Sequence, residues 1–272
     1  MKEIQRKPIG VFDSGVGGLT VLRELCRQLP HESILYFGDT ARLPYGTRTA
    51  EEILQFVREI IHWMAAQQVK MLIMACNTSS ALALETVQRE WDIPMLGLIL
   101  PGARAAVQAG RRIGVIATPA TAASNAYRRA ILEVDASVRV WQVGCPEFVP
   151  LIEGNRIGDP YTRQVARQYL KPLIARDIDA LVYGCTHYPH LETVLRPLLP
   201  ASVRLVNPAR SLVSAAEQEL ELMGLKNLDA ESVVPTRFFV SGSPHQFSRL
   251  SHSWLGSAPA VEKVYLEAVS MT

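Results

Sequence analysis

Residues Met71 to Ser80 read MLIMACNTSS. Five apolar side chains, Met71 to Ala75, stop abruptly at Cys76, Asn77 and Thr78. An apolar run without alternation, bounded by small polar residues, is the pattern of a parallel-sheet strand covered on both faces. Apolar residues at helical spacing follow (Ala81, Leu82, Leu84, Val87, Trp91), so the stretch predicts a strand, a turn and a helix. In an open parallel sheet, ligands sit at the carboxyl ends of the strands. Cys76 occupies that position.

The pattern occurs twice. Ala180 to Gly184 lead into Cys185, Thr186 and His187, and Pro189 opens a predicted helix with Leu191, Val194, Leu195 and Leu198. Cys185 stands 109 positions after Cys76. Ile113-Gly114-Val115-Ile116 echoes Ile9-Gly10-Val11-Phe12 at a shift of 104, and Val138 to Val143 answers Ile34 to Asp39 at the same shift. Pro101 to Ala106 resembles Pro208-Ala209-Arg210, each after a short apolar strand. Correspondences in one order indicate an internal duplication. The expected fold class is therefore α/β: two similar parallel-sheet units related by a pseudo-twofold axis, with the active site in the cleft between them. After about Pro208 come a helix, a strand at Phe238-Phe239-Val240 and a closing helix around Phe247 to Leu255, without counterpart in the second unit.

Elsewhere, Asp13-Ser14-Gly15-Val16-Gly17-Gly18 joins the first strand to a helix expected to bury Leu19, Leu22, Leu25, Cys26 and Leu29. Thr49-Ala50-Glu51-Glu52 has capping-box spacing ahead of a long helix. A further strand is expected from Ile93 to Ile99. With 272 residues, 48% of them hydrophobic, the chain can bury one large core or two modest ones. Its 28 basic and 26 acidic residues make no electrostatic case for nucleic acid. Four cysteines without a CxxC point to reduced thiols, and no stretch reads as a signal or membrane span, so a soluble intracellular protein is expected.

A thiol at a helix N-terminus feels the positive end of the dipole, which lowers its pKa toward neutrality. Cys76 and Cys185 are expected to be of this kind, whereas Cys26 and Cys145 read as small buried hydrophobes. Two thiols facing each other across a cleft suit a proton that leaves one face of a carbon and returns on the other: racemisation or epimerisation. The Asp13 loop lacks a P-loop ending and dinucleotide-binding spacing. It remains a glycine-lined turn able to offer N–H groups to a carboxylate, with Ser14, Asn77, Thr78 and Thr186 as short donors near the same strand ends. His187 has no second ligand pair at zinc spacing, so no metal is expected. Neighbours on one turn rarely align as nucleophile and base, so His187 is read as tuning the local proton balance.

DSGVGGL (Asp13 to Leu19), DTxxxPYG (Asp39 to Gly46), ACNT (Ala75 to Thr78), TxxT (Thr118 to Thr121), EG (Glu153-Gly154) and GCTHYP (Gly184 to Pro189) together resemble the glutamate racemase family. The tail FFVSGSPHQFSRLSHSWLG is also similar to that family, and the resemblance covers nearly the whole chain. It implies cofactor-independent interconversion of L- and D-glutamate for peptidoglycan, in the cytoplasm. It implies one domain of residues 1–98 plus 207–272 and another of 99–206. Carried over by motif, Cys76 and Cys185 are the acid/bases, Asp13 and His187 assist, and Glu153 supports them. The substrate would be held by Asp13, Ser14, Pro44, Tyr45, Gly46, Asn77, Thr78, Thr118, Thr121, Thr186 and His187.

Ala117 stands where a glycine is common in the family, and Ser79-Ser80 where alanine-serine is frequent. Only eight residues precede the first strand, so regulation through an N-terminal extension is not expected. Glutamate is the implied partner and a homodimer is common in the family, with no role for nucleic acid or membrane. Two other readings stay open: a racemase of aspartate or another acidic amino acid, and a two-lobed protein that binds a small anion without catalysis.

Overall fold

The computed structural model describes residues 2–267. Met1 and residues 268–272, at the two ends of the expected 1–98 plus 207–272 unit, lie outside the described residues. The strands are β1 (Ile9–Asp13), β2 (Ile34–Gly38), β3 (Met71–Met74), β4 (Met95–Gly97), β5 (Arg112–Ala117), β6 (Arg139–Gly144), β7 (Ala180–Gly184), β8 (Arg204–Val206), β9 (Arg237–Val240) and β10 (Val261–Lys263). They form a six-stranded sheet in the order β10-β9-β2-β1-β3-β4 and a four-stranded sheet in the order β6-β5-β7-β8. Every strand pairing in both is parallel. The order β2-β1-β3-β4 repeats as β6-β5-β7-β8, the topology an internal duplication demands. The returning strands β9 and β10 extend the first sheet alone.

β1, β3 and β7 are buried along their whole length, which is why they read as unbroken apolar runs. Main-chain bonds continue the ladders past the strand ends: Ala75 N–H donates to Phe12 O at 2.8 Å and Asp39 N–H to Asp13 O at 2.9 Å. In the second sheet Cys145 N–H donates to Ala117 O at 2.8 Å. These bonds bring the turns after neighbouring strands side by side. The helix Pro208–Leu222 packs against both Leu19–Gln28 and Ile99–Ala109, burying Leu212, Val213, Ala216 and Leu220, so one apolar core runs under both sheets. The capping box at Thr49 forms in both directions and opens the helix Ala50–Ala66. Among the described residues no helix is long and apolar enough to cross a membrane.

Four local expectations are corrected. The single helix expected after Cys76 is two short ones, Asn77–Leu82 and Leu84–Val87. Ser79 and Ser80 turn their hydroxyls onto Cys76 O and Met74 O, at 3.1 Å each, which ties this turn back to the strand. The helix expected from Pro189 is a 3-10 turn (Tyr188–Leu191), a single α turn (Glu192–Leu195) and another 3-10 turn (Arg196–Leu198), because Pro189 and Pro197 each remove a backbone donor. Strand β4 is shorter than Ile93 to Ile99, and Ile99 begins a helix. Finally, Cys26 is exposed, because Leu22, Leu25 and Leu29 take the buried side of its helix.

Candidate active site

A cavity of about 400 Å³ lies at the carboxyl ends of both sheets. Asp13 and Ser14 reach it from the end of β1, and Cys76, Asn77 and Thr78 from the end of β3. Thr118 enters after β5, while Cys185, Thr186 and His187 enter after β7. Pro44, Tyr45 and Gly46 and the more distant Glu153 complete the expected set on its wall. Thr121 is fully buried and reaches the site through its neighbours. Its hydroxyl lies 3.1 Å from that of Thr78 and 2.9 Å from that of Thr118, and Thr78 and Thr118 are 3.0 Å apart. This triangle of hydroxyls joins the two halves of the molecule.

Glycines set how closely the walls approach. A methyl group on Gly17 would stand 2.4 Å from His187 Nδ1 and 2.5 Å from Thr186 Oγ1. One on Gly46 would stand 2.9 Å from Thr118 Cβ. The DSGVGG and PYG loops therefore lie on the second half of the protein at distances only glycine allows. Thr20 Oγ1 adds a bond to Thr186 O at 2.9 Å. Tyr45 donates its hydroxyl to the buried Asp39, whose Oδ1 and Oδ2 also accept from Ser241 Oγ and Arg42 Nε, at 2.7 Å each. Strand β9 and the PYG loop are thus tied through one carboxylate.

The two thiols sit in unlike surroundings. Cys76 is buried, with Sγ 4.0 Å from Ser14 Oγ. Burial pushes its pKa up to about 12, the nearby Asp13 carboxylate and the Cys185 sulfur add to the rise, and bonds from Ser79 oppose it. This overturns the expected lowering: the helix beginning at Asn77 has only six residues, and desolvation of the thiolate outweighs it. Asp13 is itself raised, first by burial, with the charge of His187 and bonds from Gly18, Gly15 and Ser14 pulling the other way. Its Oδ2 accepts from Gly15 N–H at 2.9 Å, and its buried Oδ1 has no partner among the described residues.

Cys185 Sγ lies 3.7 Å from His187 Nδ1, and His187 Nε2 lies 3.0 Å from Glu153 Oε1. Burial alone would depress the imidazole, but Cys185 and Glu153 on its two nitrogens raise it to about 10. His187 is therefore a cation at neutral pH, and the turn does align a cysteine with a histidine two residues on. Glu153, far away in sequence, is the acceptor that completes the line. Cys145, read from the sequence only as a buried hydrophobe, is buried and also lines the cavity. The available signal was its place directly after β6, the position that Asp39 takes directly after β2, since Cys145 N–H bonds Ala117 O as Asp39 N–H bonds Asp13 O. Among the described residues no group of three His, Cys, Asp or Glu side chains could hold a metal ion. The arrangement offers two sulfurs in unlike surroundings, one cation, and a set of neutral donors around a small cavity.

A family model described as Asp/Glu/Hydantoin racemase matches residues 9–216. The chain is 69% identical over 266 residues to the glutamate racemase of Gloeothece citriformis, a match covering 98% of this chain and 95% of that one. It superposes on glutamate racemase isoform RacE1 of Bacillus anthracis with a TM-score of 0.92 at 39% identity, covering 96% of this chain and 98% of the other. The glutamate racemase of Francisella tularensis, solved in complex with D-glutamate, aligns with a TM-score of 0.89 at 35% identity and the same coverage, 96% and 98%. Sequence, topology and relatives agree: the chain belongs to the Asp/Glu/Hydantoin racemase family and, within it, to the glutamate racemases, which are isomerases.

Proposed function

We propose that the chain interconverts L- and D-glutamate by passing the α-proton between Cys76 and Cys185, without a cofactor, in the cytoplasm, and so supplies D-glutamate for peptidoglycan. The observation that carries this reading is that two cysteines at the ends of equivalent strands, β3 and β7, line one cavity between two similar sheets. The lobes are residues 1–98 with 207–272, and 99–206. The working assembly is a homodimer acting on a small molecule, with no nucleic acid or membrane partner.

The unlike thiols divide the work. In the reacting state Cys185, 3.7 Å from the His187 imidazole, acts as the base, and Cys76, which burial keeps protonated at neutral pH, acts as the acid. As the α-carbon's C–H bond breaks, its proton passes to the Cys185 sulfur. The electron pair left on carbon takes the Cys76 proton from the opposite face, so one S–H forms while the other is lost. The reverse reaction starts from that exchanged state. Burial, with Asp13 adding, holds Cys76 protonated, and Glu153 helps to hold His187 charged. Ser14, Thr78, Thr118 and Thr186 offer donors to the substrate carboxylates, where negative charge grows as the proton departs.

Incubation in deuterated water with chirally resolved glutamate and aspartate tests the reading. Wild-type enzyme is expected to label the α-position of glutamate while inverting it, and Cys76→Ser and Cys185→Ser are each expected to lose racemisation almost completely. Preferred turnover of aspartate would move the substrate assignment. An unlabelled α-carbon would leave a binding protein, and near-wild-type turnover by either variant would remove the two-thiol scheme.

A further inference from the structure

Asn77 directly follows Cys76, is 2% exposed and is one of the residues that line the cavity. Its Oδ1 accepts a hydrogen bond of 2.6 Å from the hydroxyl of Tyr127, which lies on the helix Ala126–Val134 of the other half. Its Nδ2 is buried and has no partner among the described residues. A buried donor left bare costs free energy until something accepts from it. The cavity is where that acceptor would come from.

Which end of the amide faces the cavity depends on Tyr127. A phenol can donate or accept. Tyr127 is fully buried, and Asn77 is its hydrogen-bond partner. Were the amide turned round, the phenol would accept from Nδ2 and its own proton would be buried without an acceptor. The 2.6 Å separation is that of an O–H···O bond, shorter than N–H···O bonds run. Burial, with the charge of Cys185 adding, also raises the phenol's pKa, so it keeps the proton it donates. The ring is seated against the helix Ile99–Ala109, where a methyl group on Gly102 would meet Tyr127 Cε1 at 3.1 Å.

We propose that Tyr127 is a positioning residue for racemisation: by holding Asn77 Oδ1 it turns Nδ2 toward the cavity as a donor to a carboxylate of the substrate. The inference rests on the cavity being the substrate site of the proposed reaction. Because the two residues come from different halves, the bond also makes recognition depend on how those halves meet.

A double-mutant cycle tests this. KM and kcat for glutamate are measured in both directions for Tyr127→Phe, Asn77→Ala and the double variant, with the Tm of each. Tyr127→Phe keeps the ring and frees the amide to present its oxygen. It is expected to raise KM about tenfold, the scale of a lost hydrogen bond to a charged group, with kcat within about threefold. In the Asn77→Ala background the same change is expected to add nothing, since Tyr127 acts through the amide. An unchanged KM in Tyr127→Phe overturns the proposal, and so does a loss that multiplies fully with that of Asn77→Ala, the mark of independent packing effects. Should Tyr127→Phe not fold, Gly102→Ala, whose methyl would press on Tyr127 Cε1 and on Pro208 Cβ and Cγ at 3.1 Å each, shifts the phenol without deleting it, and the same KM criterion applies when Tm is unchanged. A wild-type enzyme that racemises no acidic amino acid would refute the proposed function. An active wild type with an unaffected Tyr127→Phe would refute only the role of Tyr127.

Discussion

Replacing Glu153 by Gln removes one negative charge from a line of three groups and leaves its shape intact. In the native line Glu153 Oε1 lies 3.0 Å from His187 Nε2, and its side chain is 28% exposed, so solvent screens only part of the interaction. A hydrogen bond between charged partners contributes about 1.5–3 kcal/mol, and the lower end suits this half-buried carboxylate. At about 1.4 kcal/mol per tenfold change in protonation, that end corresponds to about one pH unit. Burial would hold the imidazole neutral, and Cys185 and Glu153 raise it to about 10, so the cation is present below that pH and is lost as pH rises through it. In Glu153→Gln the cation is lost earlier. The alkaline limb of kcat/KM is therefore expected to move down by about one pH unit, and activity above it to fall about tenfold. L- and D-glutamate are mirror images of equal free energy, so kcat/KM must fall by the same factor in both directions. The assay is a pH profile of racemisation followed by circular dichroism, starting from each enantiomer. A variant whose activity drops while the limb stays in place would show that Glu153 does not act through the charge of His187.

Gly17→Ala places a methyl carbon 2.4 Å from His187 Nδ1, and the buried imidazole can yield only by leaving Cys185. With a misplacement of about 1 Å, kcat is expected to fall about a hundredfold, and the overpacking to cost about 1–3 kcal/mol of stability; near-native kcat in the folded variant would show that the close approach does not hold the pair. Lys70 and Glu32 form a fully buried ion pair, and Lys70 Nζ also donates to Gln5 O at 2.5 Å and Leu225 O at 2.9 Å. Lys70→Met strands the Glu32 carboxylate, at an expected cost of about 3–5 kcal/mol in urea denaturation; a loss under about 1 kcal/mol would contradict that burial.

Much of this protein is legible residue by residue. Apolar runs ending on small polar residues marked β1, β3, β5 and β7, because a strand covered on both faces needs apolar side chains at successive positions. The duplication placed Cys76 and Cys185 at equivalent strand ends, and the motif set named their companions. Short-range patterns carry this information because hydrogen-bonded ladders and caps form between near neighbours or repeat with fixed period. The protonation of the thiols was not legible. Helix position alone suggested a lowered pKa at Cys76, whereas burial, with Asp13 adding, drives it upward, and the charge of His187 comes from Glu153, distant in sequence, as well as from Cys185.

Nor did the order of residues reveal that Cys26 faces solvent, that Cys145 borders the cavity, that Thr121 stands behind Thr118, or that Tyr127 bonds Asn77. Each depends on side chains tens of positions apart meeting at a chosen distance and excluding water together. Sequence therefore determined the strands of the duplicated units and the two strand ends that carry the sulfurs, though not the last strand, β10. Only the packing of one half against the other decided what those sulfurs feel, since desolvation and charge act through space and not along the chain.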